Sequence, residues 1–346
     1  MSRELTYKDA INEALRQEME LDNSVILIGE DIAGGAGHDH IPGALDAWGG
    51  PFGVTKGLVT QFGRERVIDS LLAETGFVGA AIGASIAGLK PVAEIMYADF
   101  IGTSFDQILN HAAKLRFTYG GKISVPIVVR TVTGAGFRAA SEHSQMLISI
   151  YSHIPGLKVV APSNAYDAKG LLIAAIRDPN PVIFMEHKRL YMRKAEVPEN
   201  SYVIPIGKGD IKRTGKDITI VGVQKMVITA LDAAAELSKI GIEAEVIDPR
   251  SYSPLDIDLI CESVAKTGYL LVVDESYPRC SIATDIAGQV ADLSFKDLKG
   301  PIKTITGLHM PVPFSPPMED HFIPSIDDVI TYATAMLRGE IIHARR

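Results

Sequence analysis

Short apolar runs rich in β-branched residues recur along the first half of the chain, separated by stretches of helical period. VILIG (25–29), VIDSL (67–71), PVAEIM (91–96), PIVVRT (126–131), KVVAP (158–162) and PVIFME (181–186) are nearly continuous in apolar character. That pattern predicts strands buried on both faces rather than strands with one wet side. Helices are predicted over 74–89, 103–117 and 165–177. The last is the best marked: Asn164 stands at the cap, Asp167 follows three residues later, and Ala168, Leu171, Leu172, Ala175 and Ile176 form the apolar stripe. Ser2 to Asp22 is expected to be an amphipathic helix, with Thr6 and Asp9 resembling a capping box and Ala10, Ile11, Ala14, Leu15 and Met19 on one face. Strands alternating with helices in this way predict a parallel α/β sheet.

MRKAEVPENSYVIP (192–205) breaks the alternation with a polar, proline-punctuated stretch that reads as a linker. A second alternation follows: DITIVGV (217–223), a helix to Ile240, AEVIDPR (244–250), a helix over 255–266, YLLVVDES (269–276), another helix, and IKTITG (302–307). The expected organisation is therefore a domain over 1–195, a linker over 196–208, and a smaller α/β domain over 209–346.

Composition narrows the function classes. A hydrophobic fraction of 47% beside 22% charged residues supports substantial cores. The net charge of −8, without a Lys/Arg cluster, argues against nucleic acid. The longest apolar run, Gly76 to Leu89, is too short to span a bilayer, and the N-terminal stretch lacks the apolar segment of a signal peptide. Cys261 and Cys280 form neither a CxxC nor a disulfide framework, so a reducing cytoplasm is expected.

LLAETGFVGAAIGASIAGLK (71–90) poses the sharpest chemical question, because Glu74 opens a run of Gly, Ala and Ile. An acid in a first turn is stabilised by the helix dipole, typically by about 0.3–1 kcal/mol. The alternative is a carboxylate held in an apolar wall to exchange a proton. The small residues let this helix approach another closely, so it is expected to be buried or at a subunit interface. Several other motifs fail. Gly35-x-Gly37 lacks the third glycine of a dinucleotide fingerprint, 209–216 lacks P-loop spacing, and Ser85 lies inside a helical pattern rather than on a nucleophile elbow. The long glycine-rich segment 30–57 has the character of a functional loop, and its His38-Asp39-His40 triplet lacks a further ligand at metal spacing. Two constellations remain besides Glu74: IMYADF (95–100), where a strand turns aromatic, and GAGFRAASEHSQM (134–146), which presents His143 after a strand end.

Taken together, these segments resemble the β subunit of the thiamine-diphosphate-dependent component of 2-oxo acid dehydrogenase complexes, a family that includes pyruvate, branched-chain 2-oxo acid and acetoin dehydrogenases. AETGFVGAAIG, DQILNHAAK, EHSQ, HIPGLKVVAPSNAYDAKGLL, AIRDPNPVIF and EVIDPRSYSPLD match family segments in order, over nearly the whole chain. The resemblance implies a transketolase-like pyrimidine-binding domain followed by a transketolase C-terminal domain. It also implies that Glu74 shares a proton with a ring nitrogen of the cofactor's aminopyrimidine and so activates the cofactor. Phe100 corresponds to the aromatic that stacks on the pyrimidine, and His143 to the histidine that handles protons on the bound intermediate or receives the lipoyl group. The segment after 165–177 is similar to the family's potassium site, with oxygens of Ile127, Ala175, Ile176, Asp178 and Asn180 as the implied cage. Departures from the family pattern are Glu142 for Gln, Thr75 for Ile or Met, and Pro179 in the presumed cation loop.

One absence shapes the expected assembly. The family binds the diphosphate through Mg²⁺ on a GDG motif, and no GDG occurs here; the only Gly-Asp, Gly209-Asp210, continues into Ile. The chain is expected to hold half an active site, completed by an α subunit in a two-plus-two heterotetramer that hands its acyl group to a lipoyl-bearing acyltransferase component. A self-sufficient transketolase-like homodimer fails on the same absence. A non-catalytic scaffold of the same fold would have no need to keep Glu74, Phe100 and His143 together. Segments 30–58, 273–287 and 309–324 look most like those of acetoin dehydrogenase β subunits, making acetoin the expected substrate and pyruvate or a branched-chain 2-oxo acid the alternative.

Overall fold

The computed structural model of the protein describes residues 2–35 and 48–342, which form two compact units. One comprises Met1–Thr133 and Ile150–Ile206, the other Gly134–Ser149 and Gly207–Arg346. The His38-Asp39-His40 triplet and most of its glycine-rich segment lie outside the described residues.

The first unit is built on parallel strands: β2 (Val25–Glu30), β3 (Val67–Ser70), β4 (Lys90–Ile95), β5 (Val128–Thr133), β6 (Lys158–Val160) and β7 (Val182–His187). Their spatial order is β6-β7-β5-β4-β2-β3. Every residue of β5 and β7 is buried, the polar Arg130, Thr131, Thr133, Glu186 and His187 included, as befits central strands covered on both faces. Helices Glu74–Ile86 and Ala165–Arg177 follow β3 and β6, and the Asn164 side chain caps the second by accepting from the Asp167 N–H. Helix Tyr7–Leu21 packs on Ala165–Arg177, pinned by a buried Lys169–Glu13 pair at 2.6 Å.

Three expectations need correction. Ser2–Thr6 is a strand, β1, not the start of the first helix, and Lys194–Pro198 is a strand, β8, not linker. They pair antiparallel, Ser2 opposite Pro198 and Thr6 opposite Lys194. The polar KAEVP stretch carries no strand signal of its own; its backbone groups are satisfied only because the N-terminus lies alongside. The helix expected over 103–117 is also broken: a 3₁₀ stretch Ala98–Ser104 is followed by a π-helical turn Gln107–Ala112 and a short helix Leu115–Thr118. The apolar spacing is helical throughout, but it does not encode which hydrogen-bond ladder is used.

The second unit has a five-stranded sheet of β9 (Asp210–Arg213), β10 (Ile218–Gly222), β11 (Ala244–Asp248), β12 (Leu270–Val273) and β13 (Lys303–Ile305), in the order β13-β12-β10-β11-β9. All neighbours are parallel except the edge strand β9. Ile220, Val246 and Leu271 from the sheet share a core with Val227, Ala230 and Leu237 of helix Met226–Lys239 and Val329 and Ala333 of helix Ile326–Arg338. No helix among the described residues is long and apolar enough to cross a membrane.

Candidate active site

Open parallel sheets place ligands at the carboxyl ends of their strands, and the first unit gathers its candidate residues there. Glu74 opens the helix after β3, and Phe100 lies in the 3₁₀ stretch after β4, with β2 between the two strands. The two segments touch: the Thr75 hydroxyl donates to the Thr103 carbonyl, and the Cα of Gly79 lies so close to Gln107 that an added Cβ would stand 3.1 Å from its Oε1. Thr75, a departure from the family pattern, is thus the residue that ties the Glu74 helix to the Phe100 segment. Glu74 is half-buried, and its carboxylate makes no hydrogen bond to any described residue. Ala73 provides no side-chain cap for the helix either.

A second acid lies near enough to interact with Glu74 electrostatically. Glu30 ends β2, and burial, followed by the charges of Asp31 and Glu74, pushes its carboxyl above the ordinary range. The loop after it is anchored on both described sides. Asp69 of β3 accepts from the Ala33 N–H at 2.7 Å, and the buried Thr55 hydroxyl donates to the Ile32 carbonyl at 2.8 Å. Two buried hydroxyls, Ser70 Oγ at the end of β3 and Thr131 Oγ1 within β5, have no hydrogen-bond partner among the described residues.

Behind this edge lies an ion cluster on three neighbouring strands. Arg130 of β5 donates to Glu94 of β4 at 2.6 Å and lies 2.7 Å from Glu186 of β7, and the Tyr191 hydroxyl donates to Glu186 at 2.8 Å. All four are buried. Burial alone lowers the proton affinity of Arg130, but Glu186 and Glu94 more than reverse it and hold the guanidinium charged. Burial raises the Glu186 carboxyl, the Arg130 charge opposes this, and the Glu94 charge adds to it. The Tyr191 ring lies 5.0 Å from Phe52, Phe52 lies 5.7 Å from Tyr97, and Tyr97 meets Phe100 edge-on at 5.5 Å. An unbroken file of aromatic rings thus connects the cluster to Phe100.

His143 is carried by the second unit, on the segment Gly134–Ser149. It is half-buried, and the neighbouring Ser144 hydroxyl is buried without a hydrogen-bond partner among the described residues. Beside it is a cavity of about 470 Å³ lined by Ser141, Glu142, Gln145, Tyr277, His309 and Met310. Among the described residues, neither Lys nor Arg lines it.

Residues 3–194 match the model of the transketolase pyrimidine-binding domain, and residues 207–329 match that of the transketolase C-terminal domain. The chain belongs to the transketolase-like family. Within that family it is 57% identical to the acetoin:2,6-dichlorophenolindophenol oxidoreductase subunit beta of Bacillus subtilis (strain 168), over 98% of this chain and 99% of the relative. It is 56% identical to the protein of the same name from Cupriavidus necator, with the same coverage. The pyruvate dehydrogenase E1 component subunit beta of Rhizobium meliloti (strain 1021) is 43% identical, over 96% of this chain and 70% of the relative. A solved structure titled split gene transketolase, inactive beta4 tetramer, superposes with a TM-score of 0.74 at 20% identity, covering 96% of this chain and 98% of that one, which speaks to the fold alone.

The transketolase-like resemblance extends to the segment after helix Ala165–Arg177, where the side chains are already engaged. Lys158 pairs with Asp178, whose other oxygen accepts from the Asn180 backbone and side chain at 2.9 and 3.0 Å. Arg116 donates to Asn180 Oδ1 at 2.8 Å. Lys158 thus supplies a counter-charge to Asp178. The Ile127 and Ala175 carbonyls each accept one backbone N–H and keep a second lone pair, so a cation here fits only on backbone oxygens.

Proposed function

We propose that the chain is the β subunit of a thiamine-diphosphate-dependent enzyme that cleaves acetoin to acetaldehyde and passes the acetyl group to lipoamide. The observation that carries this reading is the full-length identity of 56–57% to acetoin oxidoreductase β subunits, against 43% to a pyruvate dehydrogenase β subunit. The cavity beside His143 supports it: acetoin has no carboxylate and needs no cationic clamp, and Glu142 there repels an anionic 2-oxo acid.

The residues at the first unit's strand ends suit the pyrimidine end of the cofactor. When bound, thiamine diphosphate supplies a carbon nucleophile for the substrate carbonyl. Glu74 offers a carboxylate that makes no hydrogen bond to a described residue and can hold or give up a proton at a ring nitrogen. Phe100 offers a ring face for stacking, backed by Tyr97. His143 is the candidate for moving a proton on the substrate side or for meeting the lipoyl group. Mg²⁺ and the diphosphate are assigned to an α subunit, since the chain has no GDG motif. Potassium, if held, rests on the backbone oxygens of Ile127, Ala175, Ile176, Asp178 and Asn180.

The Glu74 helix supports the α partner. Phe77, Val78, Ala81 and Ile82 face inward, while Gly76, Ala80, Gly83 and Ile86 are exposed, and Leu71 and Leu72 just before it are 73% and 78% exposed. Such a small-residue face lets another backbone approach closely. The test of substrate is a steady-state comparison on the chain reconstituted with an α subunit, using an artificial electron acceptor. Acetoin is expected to give the higher kcat/KM. A tenfold preference for pyruvate, about 1.4 kcal/mol in the transition state, would move the assignment to the pyruvate enzymes.

A further inference from the structure

The segment bearing His143 follows β5 of the first unit directly, yet it belongs to the second unit. Two buried carboxylates account for this. Glu275, just after β12, accepts the Ala135 N–H. Glu319, in helix Pro316–Phe322, accepts the Gly136 N–H at 2.7 Å with one oxygen. Its other oxygen accepts the Arg138 N–H at 3.1 Å and Arg138 Nη1 at 2.7 Å. Glu319 is fully buried and Glu275 is 2% exposed.

The backbone is shaped to receive Glu319. Gly134, Gly136, Arg138 and Ala140 all have positive φ, at 93°, 87°, 57° and 59°, so every second residue is left-handed. Alternation of this kind turns successive N–H groups toward one side and makes an anion-binding nest. Here the anion is the protein's own carboxylate. Arg138 and Ala140 carry side chains in a conformation that L residues avoid, so something outside the loop must hold them there. Arg138 closes the clamp by reaching Asp320 at 2.8 and 2.9 Å and the Pro316 carbonyl at 3.1 Å. Ala135 is buried against Val312 and Phe322.

We propose that Glu319 and Glu275 are positioning residues that set the conformation of the His143 loop through its backbone N–H groups. The proposal rests on the reading of His143 as an active-site histidine. It predicts that Glu319→Gln is not a neutral change: an amide keeps one acceptor oxygen, but its NH₂ then faces the Arg138 donors.

The test uses the reconstituted enzyme. In Glu319→Gln, hydrogen exchange over 134–146 is expected to speed up, and kcat to fall by up to about 10²-fold, with a smaller change in KM. In a His143→Ala background the same substitution is expected to cost no further kcat, because its effect passes through His143. Unchanged exchange over 134–146, or an equal kcat loss in both backgrounds, overturns the proposal. Should Glu319→Gln fail to fold, Arg138→Ala removes one arm of the clamp and is expected to give the same signature at smaller size. If His143→Ala alone leaves turnover intact while exchange still accelerates, the reading of His143 fails and the clamp on the loop stands.

Discussion

Glu74 stands at a helix N-terminus, where an acid needs no functional reason, and two readings of it compete. A carboxylate there solely for the helix dipole gains nothing from a second acid nearby, yet Glu30 on the neighbouring strand is close enough for Glu74 to raise its proton affinity. Proton exchange is the role proposed for Glu74, and substitution separates it from a role in helix stability. Glu74→Gln keeps the shape and most of the polarity but cannot exchange a proton, so turnover is expected to fall about 10²–10⁴-fold while the thermal unfolding midpoint stays in place. A loss under about tenfold would return Glu74 to a role at the helix terminus. The residue itself was legible in the sequence as a lone charge before an apolar run. Glu30 was not, because GED at a strand end has no local signature of a partner that lies more than forty residues away.

At the level of elements, the site edge depends on how β4, β5 and β7 are held together. Their ladder hydrogen bonds are generic, whereas the Glu94–Arg130–Glu186 cluster is specific to this arrangement. Arg130→Ala would leave two buried carboxylates facing each other without a counter-charge. Breaking a buried pair by removing one partner typically costs about 3–5 kcal/mol, and a loss of that size is expected in urea unfolding of the purified chain. A change near zero would mean that the cluster takes up protons or water at little cost. The strands were legible because burial on both faces leaves a nearly unbroken apolar run. The π-helical turn at Gln107–Ala112 and the β1–β8 pair were not: a helical period fits either ladder, and an edge pairing between residues some 190 positions apart leaves no pattern in either partner.

For the whole molecule, the missing diphosphate motif carries the strongest consequence. The purified chain alone is expected to show no thiamine-dependent turnover, and activity is expected to appear when an α subunit and Mg²⁺ are added. Robust turnover by the chain alone would refute the half-site reading. By itself the sequence determined the α/β class, the apolar strands of both sheets, the family and the residues at which chemistry is expected, because these follow from local periodicity and from side chains recognisable one motif at a time. The tertiary structure decided which motifs meet. It joined Thr75 to Thr103, set Glu30 near Glu74, paired Asp178 with Lys158, and gave the His143 loop to the second unit through Glu275 and Glu319. The reason is physical: a carboxylate has the same side chain whether it caps, clamps, pairs or catalyses, and only the donors that folding brings to it determine which.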